Sequence, residues 1–208
     1  MTSVITLYHT SHCPNCHSQE KILNQLLVQT PSLELKSINL EQSPEVQLTP
    51  ARQSVPTLLI DNYRFEGLMP AAEITRWLGP KNHDKAYIND LLKSGHLDMA
   101  LAWLQQHPAA LTSIPELLAD EDIELTVRIG LDALFEQLAA SVDLSSLTPL
   151  LGKLLDDASD SLCIDILYYL AMLDSPEALE YIKAASHRSH PEVQRVAQEL
   201  LSELEPSP

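Results

Sequence analysis

Glycine and phenylalanine are scarce in this chain of 208 residues: five of the first, two of the second. Leucine dominates the second half, so the composition argues for helices there and against a β-sandwich. Three cysteines are too few for a disulfide framework and fit catalysis or packing instead. No apolar run approaches the ~20 residues that span a bilayer. Met1-Thr2-Ser3 leads straight into a strand-like run, with no signal-like segment. The expectation is therefore a soluble, cytoplasmic protein without a membrane partner.

Positive charge is also short: 13 Lys/Arg stand against 29 Asp/Glu, a net charge of −16. Residues 1–80 hold five cations and seven anions (−2), whereas residues 81–208 hold eight and twenty-two (−14). That balance argues against nucleic acid and anionic membranes as partners. An acidic second half is either a solvated helical surface or a docking face for basic proteins.

What the chain does have is Tyr8-His9-Thr10-Ser11-His12-Cys13-Pro14-Asn15-Cys16-His17, with two of the three cysteines and three of the eight histidines. Before it, Val4-Ile5-Thr6-Leu7-Tyr8 reads as a strand. After it, Ile22, Leu23, Leu26 and Leu27 recur at helical spacing up to Gln29. Cys13 falls at the helix N-terminus, and Pro14 suits the first helical position. Unpaired N–H groups and the helix dipole favour an anion there, and in such settings cysteine pKa falls to roughly 3.5–7.5. Cys16 lies seven residues before Leu23, on the apolar face. Spacing thus separates an exposed, attacking sulfur (Cys13) from a shielded, resolving one (Cys16).

Three chemistries compete for the motif. One is a thiol–disulfide redox pair, the leading reading. Another is c-type haem attachment, which Cys-Pro-Asn-Cys-His fits but which needs an exported chain. The third is a metal site drawing on Cys13, Cys16, His9, His12 or His17. An inert pair of surface cysteines is the plain alternative. With the redox pair leading, no cofactor or resident metal is expected.

The order from residue 4 onward reads β-α-β-α-β-β-α. Leu33 to Ile38 alternates as a strand, and Ser43-Pro44 opens a short helix closed by Thr49-Pro50. Val55 to Ile60 is a strand, Asp61-Asn62 a tight turn and Tyr63 to Glu66 the returning strand, broken by Gly67. Pro70 to Leu78 forms a last helix with Ile74, Trp77 and Leu78 on its apolar stripe.

Residues 4–79 resemble the thioredoxin superfamily, nearest to glutaredoxins and minimal thioredoxin-like proteins. The matching residues are Cys13-Pro14-Asn15-Cys16 after the first strand, Ser54-Val55-Pro56-Thr57 before the third, and Gly67 after the hairpin. The resemblance implies a cis Pro56 facing the cysteines and a Val55 backbone that pairs with the substrate's main chain. It makes Cys13, Cys16 and Pro56 the catalytic candidates. Pro14, Asn15, Val55 and Gly67 become substrate-binding candidates. The sequence departs from the family in two places. Gly67 is followed by Leu68-Met69-Pro70-Ala71 where glutaredoxins have the residues that grip glutathione, which leaves glutathione binding open. Leu7 stands where thioredoxins bury an acid. His12 and His17 flank the pair instead, and a charged imidazole beside Cys13 would favour its thiolate.

From Lys81 the texture turns helical, and residues 81–208 are expected to form a second, all-α domain. Ala86 to Lys93 and Leu97 to Gln106 read as helices broken at Ser94-Gly95. Leu125, Ile129, Leu131 and Leu134 read as an apolar stripe. Segments 127–134, 163–170 and 193–200 resemble one another at spacings of 36 and 30 residues, each preceded by another helical stretch. Such helix pairs suggest a short solenoid, and Pro176 to Leu201 resembles a HEAT repeat; an irregular bundle is the alternative. Cys163 shares a face with Ile166, Leu167 and Leu170 and reads as a packed core thiol.

The function expected is a thiol–disulfide oxidoreductase acting on protein disulfides, with the helical domain binding the partner protein. Two alternatives come from other classes. One is a redox-sensing adaptor or holdase in which the repeats do the work. The other is a glutathione-transferase-like protein, favoured by architecture but lacking that family's Glu-Ser pair after the hairpin, where Glu66-Gly67 stands.

Overall fold

The computed structural model describes residues 3–43, 45–46, 54–79 and 81–204. It divides into two compact units, Met1–His83 and Asp84–Pro208.

The first unit is α/β. Strand β1 (Ser3–His9), helix α1 (Pro14–Gln29), β2 (Leu33–Asn39), β3 (Thr57–Ile60), β4 (Tyr63–Glu66) and α2 (Ala71–Arg76) follow in order. The sheet runs β2-β1-β3-β4. β1 and β2 pair in parallel, from Ser3 opposite Leu33 to His9 opposite Asn39, while β3 is antiparallel to β1 and to β4. A parallel pair needs a crossover, and α1 supplies it. β1 is flanked on both edges, so its centre is buried without a break from Ile5 to Leu7. Helix α1 buries Cys16, Gln19, Leu23 and Leu26, a spacing that keeps one face inward.

Two elements are shorter than in the sequence reading. Val55 and Pro56 precede β3 instead of opening it, and the Val55–Pro56 peptide is cis. The last helix is shorter than Pro70 to Leu78: Pro70 takes the N-cap position and Trp77 the C-cap. Trp77 leaves the helix because its ring is core, packed on Phe65 (4.8 Å between centroids) and Tyr63 (5.6 Å). The helix expected at Ser43–Thr49 lies largely outside the described residues. The first unit also extends past Lys81: His83 donates its N–H to the Tyr63 hydroxyl (3.2 Å), and its ring packs on Trp77.

The second unit is all helical among the described residues. It contains α3 (Asp84–Lys93), α4 (Leu97–Gln106), α5 (Ser113–Leu118), α6 (Leu125–Ala139), α7 (Thr148–Leu154), α8 (Asp160–Leu173), α9 (Pro176–Ala185) and α10 (Pro191–Leu204). The three similar segments fall in α6, α8 and α10, each preceded by a shorter helix. Their first, fifth and eighth positions are buried in every case: Val127, Leu131, Leu134; Cys163, Leu167, Leu170; Val193, Ala197, Leu200. Arg128 of α6 bonds Asp165 of α8 at 2.7 Å, and Tyr169 of α8 donates to Asp132 of α6 at 2.9 Å. Ser159 and Ser175 cap α8 and α9 with their hydroxyls, as their residue type favours.

The expected stripe on α6 needs correction. Leu125 is 72% and Ile129 60% exposed. They lie four residues apart on the side opposite Val127, Leu131, Leu134 and Leu138, which form the buried face. No helix among the described residues is long and apolar enough to cross a membrane.

Candidate functional site

Cys13 is the N-cap of α1 and is half-buried; Cys16, one turn on, is 2% exposed. The two sulfurs are joined as a disulfide, with Cα atoms 5.2 Å apart. The Cys13 sulfur accepts the Cys16 N–H at 3.1 Å, the place an oxygen takes in an ordinary N-cap. Pro14 occupies the first turn, where its missing N–H costs nothing. Pro14, Asn15, His12 and His17 are all exposed.

The segment before β3 lies against this pair: the Val55 carbonyl oxygen is 3.7 Å from the Cys13 sulfur. Three ties hold it. Gly67 donates its N–H to the Pro56 carbonyl at 2.8 Å, from a φ of +86° that favours glycine. Thr57 donates its hydroxyl to the Ser54 carbonyl at 2.6 Å. Ser54 in turn donates to Glu66 (2.6 Å), whose other oxygen takes Arg64 (2.7 Å). Cys13, Cys16, Val55, Pro56 and Gly67, chosen from three separate stretches, therefore share one corner of the unit.

The histidines are placed differently. Among the described residues neither His12 nor His17 bonds either sulfur, and the residue tied to this loop is Glu41. The Ser11 N–H donates to Glu41 at 3.0 Å, Asn39 Nδ2 donates to the Ser11 hydroxyl at 3.0 Å, and the Glu41 N–H donates to Asn39 at 2.9 Å. The Ser11 hydroxyl and N–H hold the Glu41 carboxyl below the usual carboxylate range, with the charges of His12 and His9 adding to the effect. The loop entering the cysteine motif is thus tied to the end of β2.

Glu41 and Gln19 were not among the candidates from sequence. Gln19, fully buried, donates to the Met69 carbonyl (3.2 Å) and accepts the Met69 N–H (2.7 Å). Its amide fixes the loop after Gly67 onto α1. A signal for Glu41 existed: in a βαβ unit two parallel strands end on one edge, so residues just past β1 and β2 become neighbours.

Cys163, in the other unit, is 1% exposed, and Arg188 donates to its sulfur at 2.9 Å. Burial pushes its thiol up, against the opposing pull of Arg188. Among the described residues no group of three or more His, Cys, Asp or Glu is placed to hold a metal ion. No protein-family model and no curated protein matches the sequence.

Proposed function

We propose that this chain is a thiol–disulfide oxidoreductase with a thioredoxin-like first unit and a HEAT-like helical second unit that binds protein partners. One observation carries the reading. A Cys-x-x-Cys pair at a helix N-terminus, Cys13 half-buried and Cys16 buried, lies against the carbonyl of the residue before a proline, 3.7 Å from the Cys13 sulfur.

The structure corresponds to the oxidised pair. Once an external thiol reductant has opened it, the helix N-terminus and the Cys16 N–H favour a thiolate at Cys13. That thiolate attacks one sulfur of a substrate disulfide. A Cys13–substrate bond forms, the substrate S–S bond breaks, and the departing thiolate takes a proton from solvent. Cys16 then loses its proton and attacks the Cys13 sulfur, closing the internal disulfide and releasing the second substrate thiolate. The substrate gains two electrons and two protons; the pair loses them. The Val55 backbone, one residue before Pro56, is the surface on which a substrate's main chain would align.

The test is reduction of a model disulfide by the reduced protein. Cys13→Ser should abolish turnover, and Cys16→Ser should stop at a covalent mixed disulfide visible by mass spectrometry. Wild-type turnover in both variants would end the redox reading. The acidic helical unit should retain basic proteins in a salt-dependent manner.

A further inference from the structure

The helical unit carries a groove of about 800 Å³ among α5, α7 and the starts of α6 and α8. Its floor is apolar, with Leu118, Leu150, Leu154 and Leu162 lining it. Leu150 is 37% exposed there, although it sits on a helix whose neighbours Leu151 and Gly152 are buried. The volume falls in the range of binding clefts, about 300–1,000 Å³.

The rim is acidic. Glu116, Asp120, Glu121 and Asp157 line it, against Arg128 and Lys153. Arg128 is already bonded to Asp165 at 2.7 Å, and Asp120 to Lys85 at 2.7 Å. Glu116, Glu121 and Asp157 have no ion-pair partner among the described residues. Asp122 and Asp156 add charge of the same sign along the same two turns. Lys153 is the one rim cation without an ion pair among the described residues, so an anionic ligand would meet three unmatched carboxylates against a single lysine beside an apolar floor. The complement is a chain segment with aliphatic side chains on one face and Lys or Arg at its margins.

We propose that this groove is the docking site for a basic amphipathic segment of a protein partner. Its aliphatic side chains would enter between Leu118, Leu150, Leu154 and Leu162, and its cations would meet Glu116, Glu121 and Asp157. The assignment rests on the partner-binding role given above to the helical unit and is independent of the cysteine chemistry.

The probe is a short fluorescent peptide of leucine and lysine in helical amphipathic order, with a glutamate-for-lysine version beside it. Each is titrated into the full chain by anisotropy, at low salt and at roughly 0.15 M salt, where charges are screened over ~8 Å. The lysine peptide is expected to bind and the glutamate peptide not. Reversal of the rim (E116K/E121K/D157K) should weaken binding about tenfold, and Leu150→Ser should weaken it as well. An equal reversal elsewhere (E136K/E177K/E203K) should change it by less than about twofold. All altered residues are exposed, and circular dichroism checks that each variant keeps its helix content. C13S/C16S should bind like wild type. If the remote reversal weakens binding as much as the rim reversal, the groove assignment falls while the acidic unit remains a partner-binding surface. If the lysine peptide fails to bind even at low salt, both fall. Binding of the glutamate peptide would also overturn the proposal.

Discussion

Glu41 shows how much of a site depends on residues that no motif marks. Its carboxylate takes both the N–H and the influence of the Ser11 hydroxyl, beside two histidines, at the entrance to the cysteine motif. Because its pKa is depressed, the stabilisation of this tie is fully present above the unfolded carboxylate value of about 4.3. It is lost as pH falls through the lower, folded value. The Ser11 amide resonance should therefore shift with an inflection below pH ~4.3, and Glu41→Gln should remove that inflection. A Ser11 amide that titrates identically in the variant would mean that the bond is not made in solution. The contrast with Cys13 and Pro56 is instructive. Cys13 was legible because its setting is local, a helix start, and Pro56 because the stretch Ser54 to Thr57 carries a family resemblance. Glu41 and Gln19 act on partners 30 and 50 positions away, and polar residues at such separations leave no periodic trace.

Hydrophobic period identifies an element more securely than it identifies the element's inner face. α6 was readable as a helix, yet Leu125 and Ile129 are exposed, because α6 carries leucine or isoleucine on two sides and only packing chooses between them. The repeated pattern in α6, α8 and α10 carried more information, since the same three positions are buried in each. A different signal sits in α7, where Gly152 looks like a flaw in a helix. A Cβ on Gly152 would overlap the ring of Tyr181 in α9. Helix propensity alone would make alanine better by ~1 kcal/mol. Overpacking costs about 1–3 kcal/mol, enough to outweigh that gain, because outer atoms of the half-buried Tyr181 ring stand where the added carbon would go. Gly152→Ala should lower the urea midpoint, and in a Tyr181→Ala background it should not. Destabilisation of the same size in both backgrounds would remove Tyr181 as the cause.

At the scale of the molecule, the chain separates its chemistry from its charge. The Cys13–Cys16 disulfide lies in the first unit, and residues 81–208 carry −14 of the net −16. The change of texture at Lys81 was visible in composition, whereas the hold of the first unit on His83 was not, because it depends on Tyr63 and Trp77 closing around one imidazole. The third cysteine follows from that division. Cys163, sealed by burial and by Arg188, is silent toward thiol reagents while the helices stay packed. Oxidised protein should therefore show no free thiol to an aromatic disulfide reagent under native conditions and one in denaturant. Between those limits, the slow appearance of that single colour equivalent is a clock for the second unit alone. It ticks at the frequency with which α8 comes free, and the other unit, its two cysteines joined to each other, adds nothing to the count.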